Sequence, residues 1–486
     1  MIDILLTHTY HLQYDSKQKQ KMQPYRPLGT LYAASALRGK GLTVALFDTM
    51  MRDPNEFSSF LDETKPKIVA IYEDDFNFLT KMCLSRMREV AWTFAQMARD
   101  RKIPVVIHGS DASDNPDIFL DRGVDYLLRG EAEAALTDLC LAIINHSSTN
   151  QIPGLILRTG PGTTVHPAQS LSLNPGWARL SIPPLDLTDF ALYQEAWTRA
   201  HGYFSVNMVA SRGCPFRCNW CAKPISGNRF HSRPAADVAE EMRLLKSTIH
   251  ADHIWFSDDV FALNHHWVQD FAREVTARHA MIPFKIQSRA DLITDQTVEA
   301  LKQAGCKEVW MGVESGSQKI LDAMDKGLTI SDIEDARRRL KYAGIRACYF
   351  LQFGYPGERW PELQQTIKFV RDTRPDDIGI SFSYPLPGTV FYERTRAELG
   401  SKRNWIESDD LCMLFKAEYT TDFYRAVRNA LHAEVDNWTT PSRDADLLWD
   451  EVHRLEPTSR ARNIEEPVSR SMGFVSLDRL TIKVGA

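Results

Sequence analysis

The chain has 486 residues, of which 43% are hydrophobic, 10% aromatic and 25% charged. That composition excludes a disordered, collagenous or coiled-coil protein, and at about 150 residues per domain it suggests roughly three domains. Fifty-eight Lys and Arg against 63 Asp and Glu give a formal charge of −5, which excludes a bulk positive field for nucleic acid and leaves only local basic patches.

Short apolar runs at residues 3–6, 43–47, 68–72, 104–108 and 124–128 alternate with segments of helical length and periodicity at 28–39, 81–99 and 131–144. Alternation of this kind predicts an α/β unit, a doubly wound, Rossmann-like parallel sheet over residues 1–145. The opening stretch MIDILLTHTY has no basic segment and no small-residue cleavage site, and no apolar run approaches the length of a membrane span. The expectation is a cytoplasmic, reducing compartment. The loops after the strands carry Thr9 and Tyr10, Glu73, Gly109 and Ser110, and Arg129, Gly130 and Glu131. They should gather at the carboxyl edge of the sheet, where such folds bind ligands. No Gly-x-Gly-x-x-Gly turn follows the first strand, which argues against a dinucleotide.

Residues 146–200 contain Pro153-Gly154, Pro161-Gly162, Pro175-Gly176 and Pro183-Pro184 with little periodicity, and read as a draped linker. A second series of apolar runs follows at 206–210, 253–257, 284–287, 309–313, 346–351 and 379–382, with helical patterns between them. Six strands in a full or partial parallel barrel over residues 201–400 are expected. The strands are followed in turn by a cysteine loop, Asp258-Asp259, Arg289, Glu314-Ser315-Gly316, Gly354-Tyr-Pro-Gly-Glu358 and Tyr384-Pro-Leu-Pro-Gly-Thr389. Each is an ordinary turn by itself, but barrels place their chemistry at this rim. Trp255, Trp310, Tyr349 and Tyr384 are candidates to line a pocket, against the commoner reading of strand aromatics as core. Beyond residue 400, Phe423, Val427, Leu431 and Val435 recur every four residues after Thr421-Asp422, which marks an amphipathic helix in a helical carboxy-terminal region, 401–486. Residues 455–486, rich in Arg and Glu, read as a loosely attached tail.

Cysteines stand at 83, 140, 214, 218, 221, 306, 348 and 412, and only Cys214-x3-Cys218-x2-Cys221 are close together. In a reducing compartment such clustering points to metal rather than disulfide. Three thiolates hold three irons of a cubane cluster and leave the fourth iron open for substrate. A structural zinc site wants four ligands, and here the second Cys-x2-Cys pair is missing, with His231 the candidate for a fourth. The iron–sulfur reading fits the count better. The other five cysteines read as small buried hydrophobes.

With Trp220 directly before its last cysteine, the loop resembles that of the radical S-adenosylmethionine enzymes. The resemblance extends to Val313-Glu-Ser-Gly-Ser317, Phe353-Gly-Tyr-Pro-Gly-Glu358 and Pro385-Leu-Pro-Gly-Thr-Val-Phe-Tyr392, which are similar to strand ends of the branch bearing an amino-terminal cobalamin-binding domain. That branch includes class B methyltransferases and enzymes like the anaerobic Mg-protoporphyrin ester cyclase. Arg26-Pro-Leu-Gly-Thr-Leu-Tyr-Ala-Ala34, Lys65-Pro-Lys-Ile-Val-Ala70, Val106-Ile-His-Gly109 and Asp125-Tyr-Leu-Leu-Arg-Gly-Glu131 resemble phrases of that domain, so the likeness covers residues 1–395.

The resemblance implies a [4Fe–4S] cluster on Cys214, Cys218 and Cys221, with the open iron chelating the amino and carboxylate groups of S-adenosyl-L-methionine (SAM). It implies backbone near Asp258 and Asp259 at the amino group, Arg289, Glu314 and Ser315 near the carboxylate and ribose, and residues from Gln352 to Gly354 beside the adenine. It further implies cobalamin at the amino-terminal edge residues Thr9, Tyr10, Glu73, Gly109, Ser110, Arg129, Gly130 and Glu131, a one-electron donor such as flavodoxin or ferredoxin, and a small-molecule substrate. The Asp-x-His-x-x-Gly motif that supplies an axial histidine in many cobalamin proteins is absent, and His8 and His11 do not fit it. Base-off cobalamin without a protein imidazole, or no cobalamin, is what that absence implies. The expected activity is methyl transfer to an unactivated carbon, with oxidative cyclisation or rearrangement as the alternative. A tRNA methylthiotransferase is disfavoured because only Cys83 and Cys140 precede residue 200. The alternative of another class is a zinc-stabilised, cobalamin-binding regulatory module.

Overall fold

The computed structural model describes residues 1–77, 85–158, 163–165, 182–399, 413–438 and 444–462. Cys83, Cys412, the first turn of the helix expected at 81–99 and the chain beyond 462 lie outside the described residues.

Strands β1 (Ile4–Thr7), β2 (Val44–Phe47), β3 (Ile68–Tyr72), β4 (Val105–His108) and β5 (Tyr126–Leu128) pair in parallel in the order β2-β1-β3-β4-β5. Alternate side chains feed two cores. Ile4, Leu6, Ile68 and Ala70 pack with Leu31, Leu37, Leu136 and Cys140 from helices Leu28–Arg38 and Glu133–Ile144. On the other face Leu5, Val69 and Ile71 meet Phe57, Leu61 and Phe94 from helices Phe57–Thr64 and Ser85–Asp100. A sheet covered on both faces explains why its strands read as continuous apolar runs.

The linker expected over 146–200 is not simply draped. Strand β6 (Leu155–Arg158) adds antiparallel to β5, and β7 (Thr163–Val165) adds antiparallel to β6, completing a seven-stranded sheet. Helix Phe190–His201 follows, burying Tyr193 and Trp197, and the Trp197 indole donates to Pro24 O at 2.7 Å. Two edge strands this short offer too few alternations to show a period in sequence.

The second sheet consists of β8 (Ser205–Met208), β11 (His253–Phe256), β12 (Phe284–Ser288), β13 (Cys306–Glu314), β14 (Arg346–Phe353) and β15 (Asp377–Phe382), all parallel and each beside its successor. Between β8 and β11, β9 (Ser211–Arg212) and β10 (His231–Ser232) form a small antiparallel pair. Because β8 and β15 do not pair with each other, the sheet is a partial barrel. Its middle strands alternate: Ile254, Phe256, Phe284, Ile286, Val309, Met311, Tyr349 and Leu351 are buried against the outer helices, and Tyr349 stacks on Phe369 at 6.1 Å. The intervening Trp255, Lys285, Gln287, Trp310, Gly312, Phe350, Gly379 and Ser381 face the concave side and keep contact with solvent. Tyr349 is therefore core, whereas Trp255 and Trp310 line the hollow and Tyr384 stands partly exposed on the turn after β15.

Helix Thr421–Asn437 packs on β15, and helix Ala445–Arg462 packs on it in turn. The start of the expected tail is thus docked: Tyr419 Oη donates to Glu456 at 3.0 Å and Thr420 N to Ser459 Oγ at 2.8 Å. Cys306 and Cys348 are buried, as expected of small apolar residues. Among the described residues, no helix is long and apolar enough to cross a membrane.

Candidate functional site

The β9–β10 pair brackets the cysteine loop. Gly213 opens it at φ +80°, where a Cβ would collide with Arg229 O. Cys214, Cys218 and Cys221 are half-buried and outside any disulfide, and Cys221 N donates to Cys218 O at 3.2 Å. Asn219, between them, anchors the loop to three segments. Its N–H donates to Met324 O at 3.0 Å, its amide nitrogen to Ala323 O and Asp325 Oδ2 at 2.8 Å each; its amide oxygen accepts from Tyr355 Oη at 2.7 Å and its carbonyl from Phe391 N at 3.0 Å. His231 stands on β10 opposite Arg212. Among the described residues no three His, Cys, Asp or Glu side chains are drawn into a ready ligand set. The fit to a cluster rests on the donor chemistry, three thiols within eight residues of one braced loop.

At the rim, the buried Asp258 carboxylate accepts from Ala210 N at 3.1 Å and from the Ser211 hydroxyl, so it ties the exit of β8 to β9 and its side chain is already engaged. Burial pushes its carboxyl up to about 7. Asp259 beside it is exposed. Arg289 forms no surface ion pair: 5% exposed, it donates to Lys326 O at 2.9 Å, meets Asp291 at 3.1 Å, and lays its guanidinium 3.7 Å from the ring centre of Phe216 in the cysteine loop. Glu314 ends β13 at φ +64° and pairs with the equally buried Lys326 at 2.7 Å rather than capping a helix. Burial alone would lower the Lys326 pKa, but the Glu314 carboxylate holds it above its ordinary value. Lys326 was not legible as a site residue, since its partner lies twelve positions away and the fold alone joins them. Ser315 is buried against Thr366 Oγ1 at 3.0 Å. Gln352, 0% exposed, has no partner for either end of its amide among the described residues.

The order β2-β1-β3-β4-β5 reverses between β1 and β3, the position where such sheets open a crevice. There Thr9 Oγ1 donates to Glu73 Oε1 at 2.6 Å and Thr9 N to Oε2 at 3.3 Å. Burial raises the Glu73 carboxyl. Thr9, Glu73 and Ser110 line one hollow with Met87, Arg88 and Asp111, and Ser110 Oγ is buried there with no partner among the described residues. Gly109 approaches the Glu73 side chain from β4. Other expected edge residues are turned elsewhere. Tyr10 donates to Asp15 at 3.2 Å and joins the barrel-side core, Arg129 donates to Ser113 O at 2.5 Å, and Gly130 O accepts from His108 Nε2 at 2.8 Å. Burial pushes Glu131 up to about 7, with Ser226 and Arg212 as neighbours. Arg212, two residues before Cys214, crosses to this edge and donates to Glu133 at 2.6 Å, with Asp75 3.6 Å away. The cysteine loop and the amino-terminal edge therefore abut.

Residues 208–370, from the end of β8 through most of the helix after β14, match the model of the Radical SAM superfamily. The chain carries a radical SAM domain. This radical SAM enzyme is 27% identical over 401 residues to the uncharacterized methyltransferase PH0819 of Pyrococcus horikoshii, a match covering 81% of the chain and 84% of the relative. It is 24% identical over 296 residues to the anaerobic magnesium-protoporphyrin IX monomethyl ester cyclase of Synechocystis sp., covering 59% of the chain and 55% of the cyclase. Among solved structures, the radical SAM methyltransferase TsrM from Kitasatospora setae, with cobalamin and a [4Fe–4S] cluster bound, superposes with a TM-score of 0.69 at 21% identity, covering 82% of the chain and 79% of TsrM. At that identity the likeness speaks for the shared two-unit fold. That domain implies a [4Fe–4S] cluster and SAM and speaks against the zinc-stabilised regulatory module.

Proposed function

We propose that the chain is a cobalamin-dependent radical SAM methyltransferase acting on an unactivated carbon of a small molecule. The observation that carries this reading is the abutment at Arg212: the switch-point edge of the first sheet opens onto the cysteine loop of the second. The names of PH0819 and TsrM point the same way. When bound, the cluster and SAM supply one-electron cleavage and hydrogen abstraction, and cobalamin supplies the methyl group.

The chain's own contribution is placement. Cys214, Cys218 and Cys221 hold the cluster on a loop fixed by Asn219 and by Arg289 against Phe216. The backbone around Asp258 and Asp259 receives the SAM amino group, the Glu314 and Lys326 pair with Arg289 and Ser315 borders its carboxylate and ribose, and the open amide of Gln352 meets the adenine. Thr9, Glu73, Gly109 and Ser110 would hold cobalamin at the amino-terminal edge. A flavodoxin- or ferredoxin-type protein would be the one-electron donor.

The likeness to the cyclase favours oxidative cyclisation as the second reading. Anaerobically reconstituted protein given reductant, cobalamin and methyl-labelled SAM separates the two. Label recovered in bound cobalamin and then in product is expected for methyl transfer, and an unlabelled corrinoid with SAM still cleaved gives the cyclase reading instead. Cys218→Ala is expected to abolish both iron retention and reductive cleavage of SAM.

A further inference from the structure

The concave face of the half-barrel carries side chains that the site above does not use. Strand order and register set them side by side: Trp255 on β11 is level with Lys285 on β12, Gln287 on β12 with Trp310 on β13, and Phe350 on β14 with Gly379 on β15. The Trp310 and Phe350 rings stack with centroids 4.7 Å apart and planes 28° from parallel. Gly379 lets this shelf lie flat, because a Cβ there would stand 3.1 Å from Phe350 and 3.3 Å from Trp310. Trp310 Nε1 is fixed by Glu308 Oε1 at 2.6 Å. Across the hollow, Tyr25 braces Trp255 edge-on at 5.2 Å. The two aromatic walls thus stand on strands two places apart, about 10 Å along the sheet.

Lys285 lies between them. Its ammonium sits 5.1 Å from the centre of the Trp255 ring, and among the described residues no carboxylate or other acceptor engages it. The neighbouring carboxylates are committed elsewhere. Glu308 holds Trp310 and, at 2.7 Å, Arg346, while Asp377 accepts from Ile378 N at 2.7 Å. A half-buried ammonium with no acceptor in hydrogen-bonding reach among the described residues is unfavourable unless a ligand supplies one, the fields of Glu308 and Asp377 offsetting its burial only in part. Lys285 also stands three residues below the end of β12 at Ser288, about 10 Å. A ligand of one or two rings anchored there reaches the rim where SAM is held.

We propose that this hollow takes a flat aromatic or conjugated small molecule bearing a carboxylate, its ring on the Trp310 and Phe350 shelf and its carboxylate on Lys285. The assignment deepens the proposed function and rests on it for the end of the ligand presented to SAM.

The test is calorimetric binding to anaerobically reconstituted holoenzyme of three probes that share a ring and differ in charge: indole-3-acetate, indole-3-acetamide and tryptamine. The acid is expected to bind at least about tenfold more tightly than the amide, and tryptamine more weakly than either. Lys285→Gln should erase the preference for the acid and Lys285→Arg should keep it, while Trp310→Leu should weaken acid and amide alike. Equal binding of acid and amide, no saturable binding of the acid, or an acid preference surviving in Lys285→Gln overturns the assignment. If Lys285→Gln does not fold, the wild-type comparison and Lys285→Arg decide it. The readout is binding, so acid selectivity without methyl labelling removes the methyltransferase reading alone, and labelling without acid selectivity removes this one alone.

Discussion

Glu358 shows what one buried carboxyl contributes at the rim. One of its oxygens accepts from Gly354 N at 2.6 Å, and the other has no partner among the described residues. Burial raises its pKa from 4.5 to about 8, so the group is a neutral acid at physiological pH. A carboxyl whose folded pKa lies above its unfolded value stabilises the fold fully below the unfolded pKa, and that contribution drains away as pH rises toward the folded one. The window here runs from 4.5 to about 8. Glu358→Gln keeps an acceptor for Gly354 N and cannot ionise. Relative to wild type, the variant should gain a few kcal/mol of stability between pH 5 and pH 8, read from denaturant midpoints across that range. A wild type and variant that run parallel in pH would show the carboxyl to be solvated. The sequence marks Glu358 as part of a rim turn, but its protonation depends on packing that no local pattern reveals.

At the scale of the element, the cysteine loop is held less by its own turns than by Asn219. Three side-chain hydrogen bonds, at 2.8, 2.8 and 2.7 Å, join it to the segment from Ala323 to Asp325 and to Tyr355. At about 1 kcal/mol each, Asn219→Ala should cost roughly 3 kcal/mol locally. The expected result is faster loss of iron to a chelator with the circular dichroism spectrum unchanged, whereas wild-type iron retention would place the loop's rigidity elsewhere. The three cysteines were legible because their spacing is local. So were the central strands, since an apolar run such as Ile68–Tyr72 is written in consecutive residues. Asn219 and Lys326 were not legible, because their roles are made by residues that only the barrel brings near. Asp258 was legible as a position but not as a brace: its place after β11 is in the sequence, and the direction of its carboxylate toward Ala210 is not. The strands β6 and β7 escaped notice because four and three residues give no period.

Over the whole molecule, the two sheets are joined by buried charge as well as by apolar packing. Arg212 reaches Glu133, Arg233 donates to Tyr32 Oη at 3.1 Å, and Arg26 donates to Asn207 O at 2.7 Å, all of them buried. Tyr10, Leu12 and Met50 from the first unit lie in one apolar cluster with Val206, Met208 and Phe256 of the second. Burial alone would raise the Glu133 carboxyl, yet the Arg212 guanidinium holds it below its ordinary value, so the pair is ionised within the interface. Breaking such a pair strands a charge away from water, at about 3–5 kcal/mol, while replacing both partners by apolar groups leaves none stranded. Arg212→Met should therefore lower the melting temperature by several degrees and separate one cooperative transition into two, because the lost contact crosses between the sheets beside the cysteine loop. Adding Glu133→Leu should restore part of the loss, with the buried Asp75 carboxylate, 3.6 Å from Arg212, keeping the rest. A single variant that melts like wild type would mean that the apolar cluster alone fixes the units. The observation that carries the proposed function would then be a contact of geometry without the energy to hold the amino-terminal edge over the cysteine loop.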